Sequence, residues 1–515
     1  MSPAACALLR DTFVDSVLLM SATRAMVEGE GVEWATAVMA TPANVSALIS
    51  EGVPATDLEG ASANDLALAV RADSEAVASA VLDRGRDALF AERPAQPATG
   101  ERAAARTVEE AVAAIPGANV AIVSVTGEYA ALAAHHALTA GLHVLLFSDH
   151  VTLEEEVELK DRAASLGRLV MGPGAGTAIL GGTGLGFANV VGPGRVGVVA
   201  AAGTGAQEVS SLLDRWGAGV SQVIGIGGRD LSAAVGGRMA RVAIEALDAD
   251  RGTDAILLVS KPPAEEVARA LLGTPRSKPL VASVLGVAPD LDVAPGVELT
   301  GTLEQGVIRT LGVLGLPTPD PGRGLAGHVE AACRGLPPGR TAVRGLFSGG
   351  TLCYEAQLIL APHVGRVYSN APVAKADGLP APAGSHVCLD LGEEEYTQGR
   401  PHPMIDPGAR LALLREQGAD PATAVVLLDV VLGHGSHPDP AGVLAPACAE
   451  LSADPEGPRV VAYVLGTRDD PQGYGRQRAI LEEVGCIVTA TAARAAHAAA
   501  AIALRRPELA AADPG

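Results

Sequence analysis

The chain has 515 residues, 48% hydrophobic and 19% charged, which suits three or four domains of about 100–200 residues each and is too apolar for intrinsic disorder. Lys and Arg number 38 against 59 Asp and Glu, and the formal net charge of −21 argues against nucleic acid and anionic membrane as partners. With 61 Gly and 35 Pro but only 5 Phe, 2 Trp and 6 Tyr, the core must come from Ala, Val, Leu and Ile, the composition of parallel strands buried under Ala-rich helices.

The expected fold class is therefore α/β, with several doubly wound parallel sheets. Residues 1–90 form an N-terminal α/β region with strands at Thr36–Met39 and Leu66–Val70 and a helix over Ser74–Leu89. Residues 91–104, with two prolines and no apolar period, read as a linker. From 105 to 194 the runs Val120–Val125, Val144–Phe147 and Leu169–Met171 alternate with helix-length segments, a Rossmann-like unit. Residues 195–315 restart the pattern at Val196–Ala201, with further strands at Gln222–Gly225, Ala255–Ser260 and Leu280–Val284, giving a first flavodoxin-like unit. After a Pro-rich linker at 316–340, residues 341–505 form a second one, with strands at Ala342–Leu346, His386–Leu389, Val425–Val431, Val460–Leu465 and Ile487–Thr489 and a closing helix over 491–504. Residues 506–515 are expected to be a frayed tail.

No basic segment followed by an apolar stretch opens the chain, and no apolar run reaches the eighteen or so residues of a membrane span, so a cytoplasmic location is expected. The six cysteines, Cys6, Cys333, Cys353, Cys388, Cys448 and Cys486, lie far apart and are expected as reduced, mostly buried thiols.

The two flavodoxin-like units begin alike. Gly203-Thr204-Gly205 and Ser348-Gly349-Gly350-Thr351 each join a strand to a helix with an early Glu, and small turns of this kind leave N–H groups free at a helix N-terminus for a phosphate or carboxylate. Gly227 and Gly228 form a flexible turn beside Arg229, a candidate oxyanion ligand, and Lys261 follows a strand at the edge where open α/β sheets bind ligands. In the polar stretch Asp390–Pro407, Pro401 and Pro403 stiffen the chain around His402, a candidate general acid/base or transient nucleophile with Arg400 beside it. His434 and His437 follow another strand, with His434 a candidate substrate contact; no ligand set completes a metal site around them. The carboxylates Glu154–Glu156 and Glu158 read as a solvated helix N-terminus favoured by the macrodipole.

Several stretches together resemble the FdrA family, relatives of succinyl-CoA synthetase. They are Thr41-Pro-Ala-Asn44, Val125-Thr-Gly-Glu-Tyr-Ala130, Phe147-Ser-Asp149 with Val151–Glu155, Gly225-Ile-Gly-Gly-Arg-Asp-Leu-Ser232, Val259–Glu265, Ser348-Gly-Gly-Thr-Leu352 and Gly399-Arg-Pro-His-Pro-Met-Ile-Asp-Pro407. The resemblance implies a synthetase α-subunit-like half, with a CoA-binding-type Rossmann domain and a ligase-type domain, followed by a domain like the C-terminal part of the synthetase β subunit. It further implies a multisubunit carbamoyltransferase of ureide and oxamate catabolism. Such an enzyme handles carbamoyl phosphate, works with accessory subunits in an oligomer, and relies on a separate carbamate kinase to make ATP.

The sequence departs from the synthetases in lacking any histidine from Val151 to Gly327, where they carry a phosphorylated one, and in having no room for an ATP-grasp domain. Gly174-Ala175 stands where FdrA relatives can carry Asp-Cys. Two alternatives stay open. One is an acyl-CoA synthetase subunit that binds CoA in residues 105–190 and takes ATP-grasp from a partner. The other is a structural or regulatory subunit without catalysis.

Overall fold

The computed structural model describes residues 3–14, 16–29, 31–90, 105–287, 291–397 and 401–511. The expected linker at 91–104 and the candidate Arg400 lie outside them. The chain divides into two compact units, residues 1–110 with 394–401, and residues 111–393 with 402–515.

In the first unit, strands β1 (Ala4–Leu9), β2 (Val32–Met39) and β3 (Leu66–Ala72) make an antiparallel sheet of order β1-β3-β2. Helices α1 (Ser16–Val27) and α2 (Glu75–Phe90) cover one face. Alternation along β3 places Leu66, Leu68 and Val70 against Ala22, Met26 and Val81, while Ala67 and Ala69 meet Leu48 and Val53 on the other face. Gly85 has no Cβ because one there would lie 2.4 Å from Met26 Sδ, so the two helices pack in close contact. The weakly patterned Ala4-Ala-Cys-Ala-Leu-Leu9 is a strand that the apolar alternation did not announce.

The second unit opens with a three-stranded parallel sheet, β4 (Val120–Val123), β5 (His143–Leu146) and β6 (Val170–Met171), accompanied by α3 (Gly127–Thr139) and α4 (Leu153–Ser165). A hairpin follows, β7 (Thr177–Leu180) and β8 (Thr183–Gly186). Although it falls within the span expected for the Rossmann-like unit, it pairs with the next sheet, whose order is β13-β12-β11-β9-β10-β7-β8. The remaining strands of that sheet are β9 (Pro193–Ala200), β10 (Val220–Gly225), β11 (Ala255–Ser260), β12 (Leu280–Val284) and β13 (Val297–Leu299), parallel throughout.

A six-stranded parallel sheet completes the unit, in the order β15-β16-β14-β17-β18-β19. Its strands are β14 (Ala342–Phe347), β15 (Val367–Tyr368), β16 (His386–Asp390), β17 (Thr423–Val431), β18 (Arg459–Leu465) and β19 (Ile487–Thr489). Every residue of β17 is buried, as expected of a central strand covered on both faces.

Four helices join these two sheets: α5 (Gly203–Arg215) after β9, α6 (Leu303–Val313) after β13, α7 (Gly350–Val364) after β14, and α8 (Ala492–Leu504) at the end. Each sheet's first helix caps the last helix of the other. Glu355 on α7 accepts the Leu303 N–H that opens α6, at 2.7 Å. Glu208 on α5 accepts the Ala492 N–H that opens α8, at 3.5 Å, and the Tyr463 hydroxyl at 2.6 Å. Between them Glu304 of α6 is paired with Arg494 of α8 at 2.7 Å.

The chain's end is not frayed as far as residue 511. Pro507–Ala511 form a short 3₁₀ turn with Leu509 and Ala510 buried, because these apolar side chains close the main core beside α8. The described cysteines are all free thiols, four of them buried. No helix among the described residues is long and apolar enough to cross a membrane.

Burial, with help from Glu208 and Glu304, raises the Glu355 carboxyl to about 8. Burial also raises Glu208 to about 7, against the pull of Arg215 and Tyr463. Both carboxyls hold their proton in the fold at pH values where the unfolded chain has lost it. Their contribution to stability is complete below the ordinary value of 4.5 and is lost as pH rises through about 8. The melting temperature is expected to fall between pH 5 and 8.5, and to fall less in Glu355→Gln, which keeps an acceptor for Leu303 but has no proton to lose. Calorimetry across that range measures the two slopes.

Candidate functional site

β9 and β14 each lie where strand order reverses, so α5 and α7 begin at the positions where doubly wound sheets bind ligands. The two helix N-termini meet head to head. A Cβ on Gly349 would lie 2.4 Å from Thr204 Cγ2, and one on Gly205 would lie 3.1 Å from Thr351 Cγ2, so each threonine sits in the space that a glycine leaves. Neither helix has a side-chain N-cap, the cap positions being Ala202 and Gly349.

The second turn is partly satisfied from within. Asp429, buried in β17, accepts the Ser348 N–H and hydroxyl, both at 2.8 Å, and the Gly349 N–H at 3.1 Å. Arg410 pairs with that carboxylate at 3.1 Å. Ser348 and Gly349, expected as phosphate ligands, therefore spend their N–H groups on Asp429. The first-turn N–H groups of Gly203, Thr204, Gly205, Gly350 and Thr351 have no acceptor among the described residues.

Three side chains gather at the α7 N-terminus. The position a Cβ on Gly350 would take lies 2.3 Å from Asp390 Oδ2 and 3.2 Å from Lys261 Nζ. The corresponding position on Gly392 lies 2.7 Å from His402 Nε2 and 3.2 Å from Asp390 Oδ1. Glycine at 350 and 392 is what lets Lys261, Asp390 and His402 come together. Half-buried Lys261 forms no hydrogen bond or ion pair through its ammonium among the described residues, and its nearest aromatic neighbour is the Tyr354 ring, 5.9 Å from Nζ.

His402 is neutral here, because burial and the neighbouring Arg410 lower it to about 4. Its Nδ1 accepts the Met404 N–H at 3.3 Å, so the ring proton resides on Nε2. In this state Nε2 is a hydrogen-bond donor without a free lone pair. Of the two roles expected of His402, general acid/base or transient nucleophile, a donor role uses the Nε2 proton where it stands, whereas attack from Nε2 would first require that proton to move.

Arg229 is committed elsewhere. Its Nε pairs with Glu156 at 2.8 Å and it donates to the Val151 carbonyl at 2.8 Å. Glu156 also pairs with Lys160 at 2.7 Å, and Lys160 with Asp230 at 2.9 Å, all three fully buried. Glu156 is thus part of an ionic core and not of a solvated helix N-terminus, although Glu155 does form a capping box with Thr152. Gly227 and Gly228 are brought to Gly203, where they line a small pocket with Gly174 and Ala175. His434 is exposed, and its N–H donates to Ala188 at 2.8 Å; it is not part of the Lys261–Asp390–His402 group.

Sequence reasoning missed Asp390 and Asp429. Both had a signal: a lone carboxylate closing His386-Val-Cys-Leu-Asp390 at a ligand-facing edge, and a charge inside the apolar run Ala424–Val431.

The parallel sheet of β4, β5 and β6, expected from the sequence as the CoA-binding-type unit, ends its first strand at a turn with a single glycine, Gly127, whose Cβ position lies 2.4 Å from the Asp149 carbonyl. This turn lacks the several glycines of the dinucleotide-binding fingerprint, although the Gly127 and Glu128 N–H groups have no acceptor among the described residues. In the first unit the β1–α1 turn, Arg10–Val14, carries no Cys or His, and among the described residues no group of three or more His, Cys, Asp or Glu side chains could hold a metal ion.

Two family models match the chain: "CoA-ligase" over residues 346–502, and "AllF, heavy metal-associated domain" over residues 1–107. YahF of Escherichia coli K12, described as uncharacterized, is 38% identical over 494 residues, 93% of this chain and 95% of that protein. Succinate–CoA ligase [ADP-forming] subunit alpha 2 of Archaeoglobus fulgidus is 30% identical over 38% of this chain and 67% of its own length. Among solved structures, ATP citrate lyase of Methanothrix soehngenii in complex with citrate and coenzyme A matches 40% of this chain and 37% of its own, at 20% identity and a TM-score of 0.30. The residues do not fit the metal that the name of the N-terminal model implies.

The head-to-head helix contact makes a direct prediction. Gly349→Ala drives its Cβ into Thr204, and overpacking of this kind costs about 1–3 kcal/mol. Thermal denaturation is expected to show that loss, and added inorganic phosphate is expected to raise the wild-type melting temperature more than the variant's.

Proposed function

We propose, from the premise that this chain belongs to the family of Escherichia coli YahF and is a succinyl-CoA synthetase-like CoA-ligase protein, that it serves as the phosphate-handling subunit of an FdrA-type carbamoyltransferase. The observation that carries this reading is the positive charge gathered at the helix junction, where Lys261 and two helix N-termini outweigh the carboxylate of Asp390 beside them. The ammonium of Lys261, which makes no hydrogen bond or ion pair among the described residues, stands against the N-terminus of α7, the end that meets the N-terminus of α5. Each helix end acts as about half a positive charge, so the junction favours an anion of phosphate type.

The chemistry follows from the groups present. A carbamoyl phosphate would rest its phosphate on the first-turn N–H groups of Gly203–Gly205 and Gly350–Thr351, with Lys261 balancing the charge left as the bond from carbon to bridging oxygen breaks. His402, with its proton on Nε2, would donate to the carbamoyl oxygen. No phosphohistidine is required, in keeping with the absence of histidine from Val151 to Gly327. The AllF-type domain at residues 1–107 supports an allantoin-related setting with an oxamate or ureido acid as the other substrate. Accessory subunits and a separate carbamate kinase belong to the same proposal, in an oligomeric assembly.

A second reading, an acyl-CoA synthetase subunit that borrows an ATP-grasp domain from a partner, is favoured by the CoA-ligase match and by the succinate–CoA ligase relative. The single-glycine turn at Gly127 weighs against it.

Phosphorus NMR on the chain with its co-purified partners separates the two. Acceptor-dependent release of phosphate from carbamoyl phosphate, without CoA, is expected; consumption of ATP only when CoA and an acid are present would reverse the assignment. Lys261→Ala is expected to slow that release about 10²–10³-fold, the usual effect of losing one electrostatic stabiliser. His402→Ala, folded and assembled, is expected to slow it as well, and full activity would remove His402 from the mechanism.

A further inference from the structure

Asp390 is the carboxylate at this site to which the reading above gives no task. It ends β16 and is 3% exposed. Its backbone is clamped by Asn370, which donates Nδ2–H to the Asp390 carbonyl at 2.8 Å and accepts the Asp390 N–H at 2.9 Å. Oδ1 accepts the Gly392 N–H at 3.0 Å, which fixes the carboxyl plane. Oδ2 points to the side of Gly350 from which Lys261 also approaches, and only the missing Cβ keeps that space open. A carboxylate held rigidly at the edge of an anion cradle repels phosphate, so binding phosphate is not what it is suited to. It is suited to taking a proton from whatever approaches the phosphate-bearing carbon.

We propose that Asp390 is the general base of the transfer, taking the proton from the amide or ureido nitrogen of the acceptor. This rests on the carbamoyl phosphate reading. As the acceptor nitrogen attacks the carbamoyl carbon, the C–N bond forms and the bond from carbon to the bridging oxygen breaks. The electron pair leaves with phosphate, and the proton on nitrogen passes to Asp390 Oδ2. No oxidant or further reactant is needed.

The groups facing Asp390 agree with this use. Burial raises its carboxyl to about 6, Glu393 and Asp429 add to the rise, and Lys261 and the Gly392 N–H oppose it. His402, neutral, and the buried Cys353 thiol, raised by burial, also face it, while Arg410 is occupied by Asp429. The base is therefore ionised at pH 7 and lost below about pH 6, which predicts an acid limb in the rate.

The test compares wild type, Asp390→Asn and Asp390→Glu in the full chain with its partners. Phosphate release from carbamoyl phosphate with oxamate is followed from pH 5 to 8, and binding of inorganic phosphate is titrated separately. Asp390→Asn is expected to bind phosphate at least as well as wild type, to lose about 10²–10⁴-fold in turnover, the usual share of a general base, and to lose the acid limb. Asp390→Glu is expected to recover part of the rate together with the limb, which also covers the case of an unfolded Asn variant. Unchanged turnover and limb in Asp390→Asn, or loss of phosphate binding along with turnover in both variants, would overturn the role of Asp390 alone. A wild type that binds phosphate but transfers no carbamoyl group to any amide or ureido acid would overturn the functional reading, and Asp390's role with it.

Discussion

Two helix N-termini pointing at one another are like poles in contact, and the arrangement of the second unit can be understood as what makes that contact tolerable. Packing provides part of the answer. Thr204 and Thr351 fill the spaces left at Gly349 and Gly205, so the first turns of α5 and α7 interlock through van der Waals contact that does not depend on charge. The rest comes from behind the contact. Glu208 and Glu355, one turn into each helix, reach across to cap α8 and α6, so separating the poles would also uncap the helices that close the opposite sheets. Because the capping is reciprocal, neither sheet is complete without the other.

This economy has an electrostatic consequence. Buried carboxylates are costly unless paired, and three of them, Glu208, Glu304 and Glu355, share one dry junction. Only Glu304 has a close cation, Arg494 at 2.7 Å, while Glu208 and Glu355 rest on N–H and hydroxyl donors and keep their protons to higher pH. Had the helices been stabilised by ordinary Ser or Asp caps, their first-turn N–H groups would be consumed. Ala202 and Gly349 at the cap positions leave them open, and holding the structure together from the sixth residue of each helix allows the first turn to serve a ligand.

Much of this was legible in the sequence because it is written in local chemistry. Ala255–Ser260, Leu280–Val284 and Ile487–Thr489 coincide with the observed strands, since each is a short apolar run between sharp breaks. The matched turns at Gly203 and Ser348 were visible as small residues between a strand and a helix with an early Glu, and the sheets do bring them together. What escaped was decided by distant residues. Arg229 looked like an anion ligand until Glu156 and Val151, more than seventy positions away, were seen to occupy it. Glu156 sat in an acidic run and reads as solvated unless Lys160 and Asp230 are known to be buried beside it. The tautomer of His402 depends on the Met404 N–H, a loop conformation that no pattern of apolar residues specifies. The β7–β8 hairpin, rich in Gly and Thr, carries almost no periodic signal and gains its place by pairing with β10.

The two poles are also unequal, and the inequality gives the site a direction. Around α7 the outermost N–H groups, Ser348 and Gly349, are closed by Asp429 and its partner Arg410. Around α5 the Ala201 N–H is closed by the Val259 carbonyl, no carboxylate intervenes among the described residues, and the glycines of Gly227–Gly228 and Gly174 leave space beside Gly203. On the proposed function, an anion drawn to the junction would be kept from the Ser348 side by Asp429 and admitted on the side of Gly350, Thr351 and Lys261, next to Asp390. Asp390 stands at the boundary of that admitted region, fixed by Asn370 and Gly392. On the proposed function, the same charge would keep phosphate from spreading toward β16 and leave a basic oxygen where the second reactant enters. Positioning of one substrate and activation of the other would then be two effects of one fixed carboxylate.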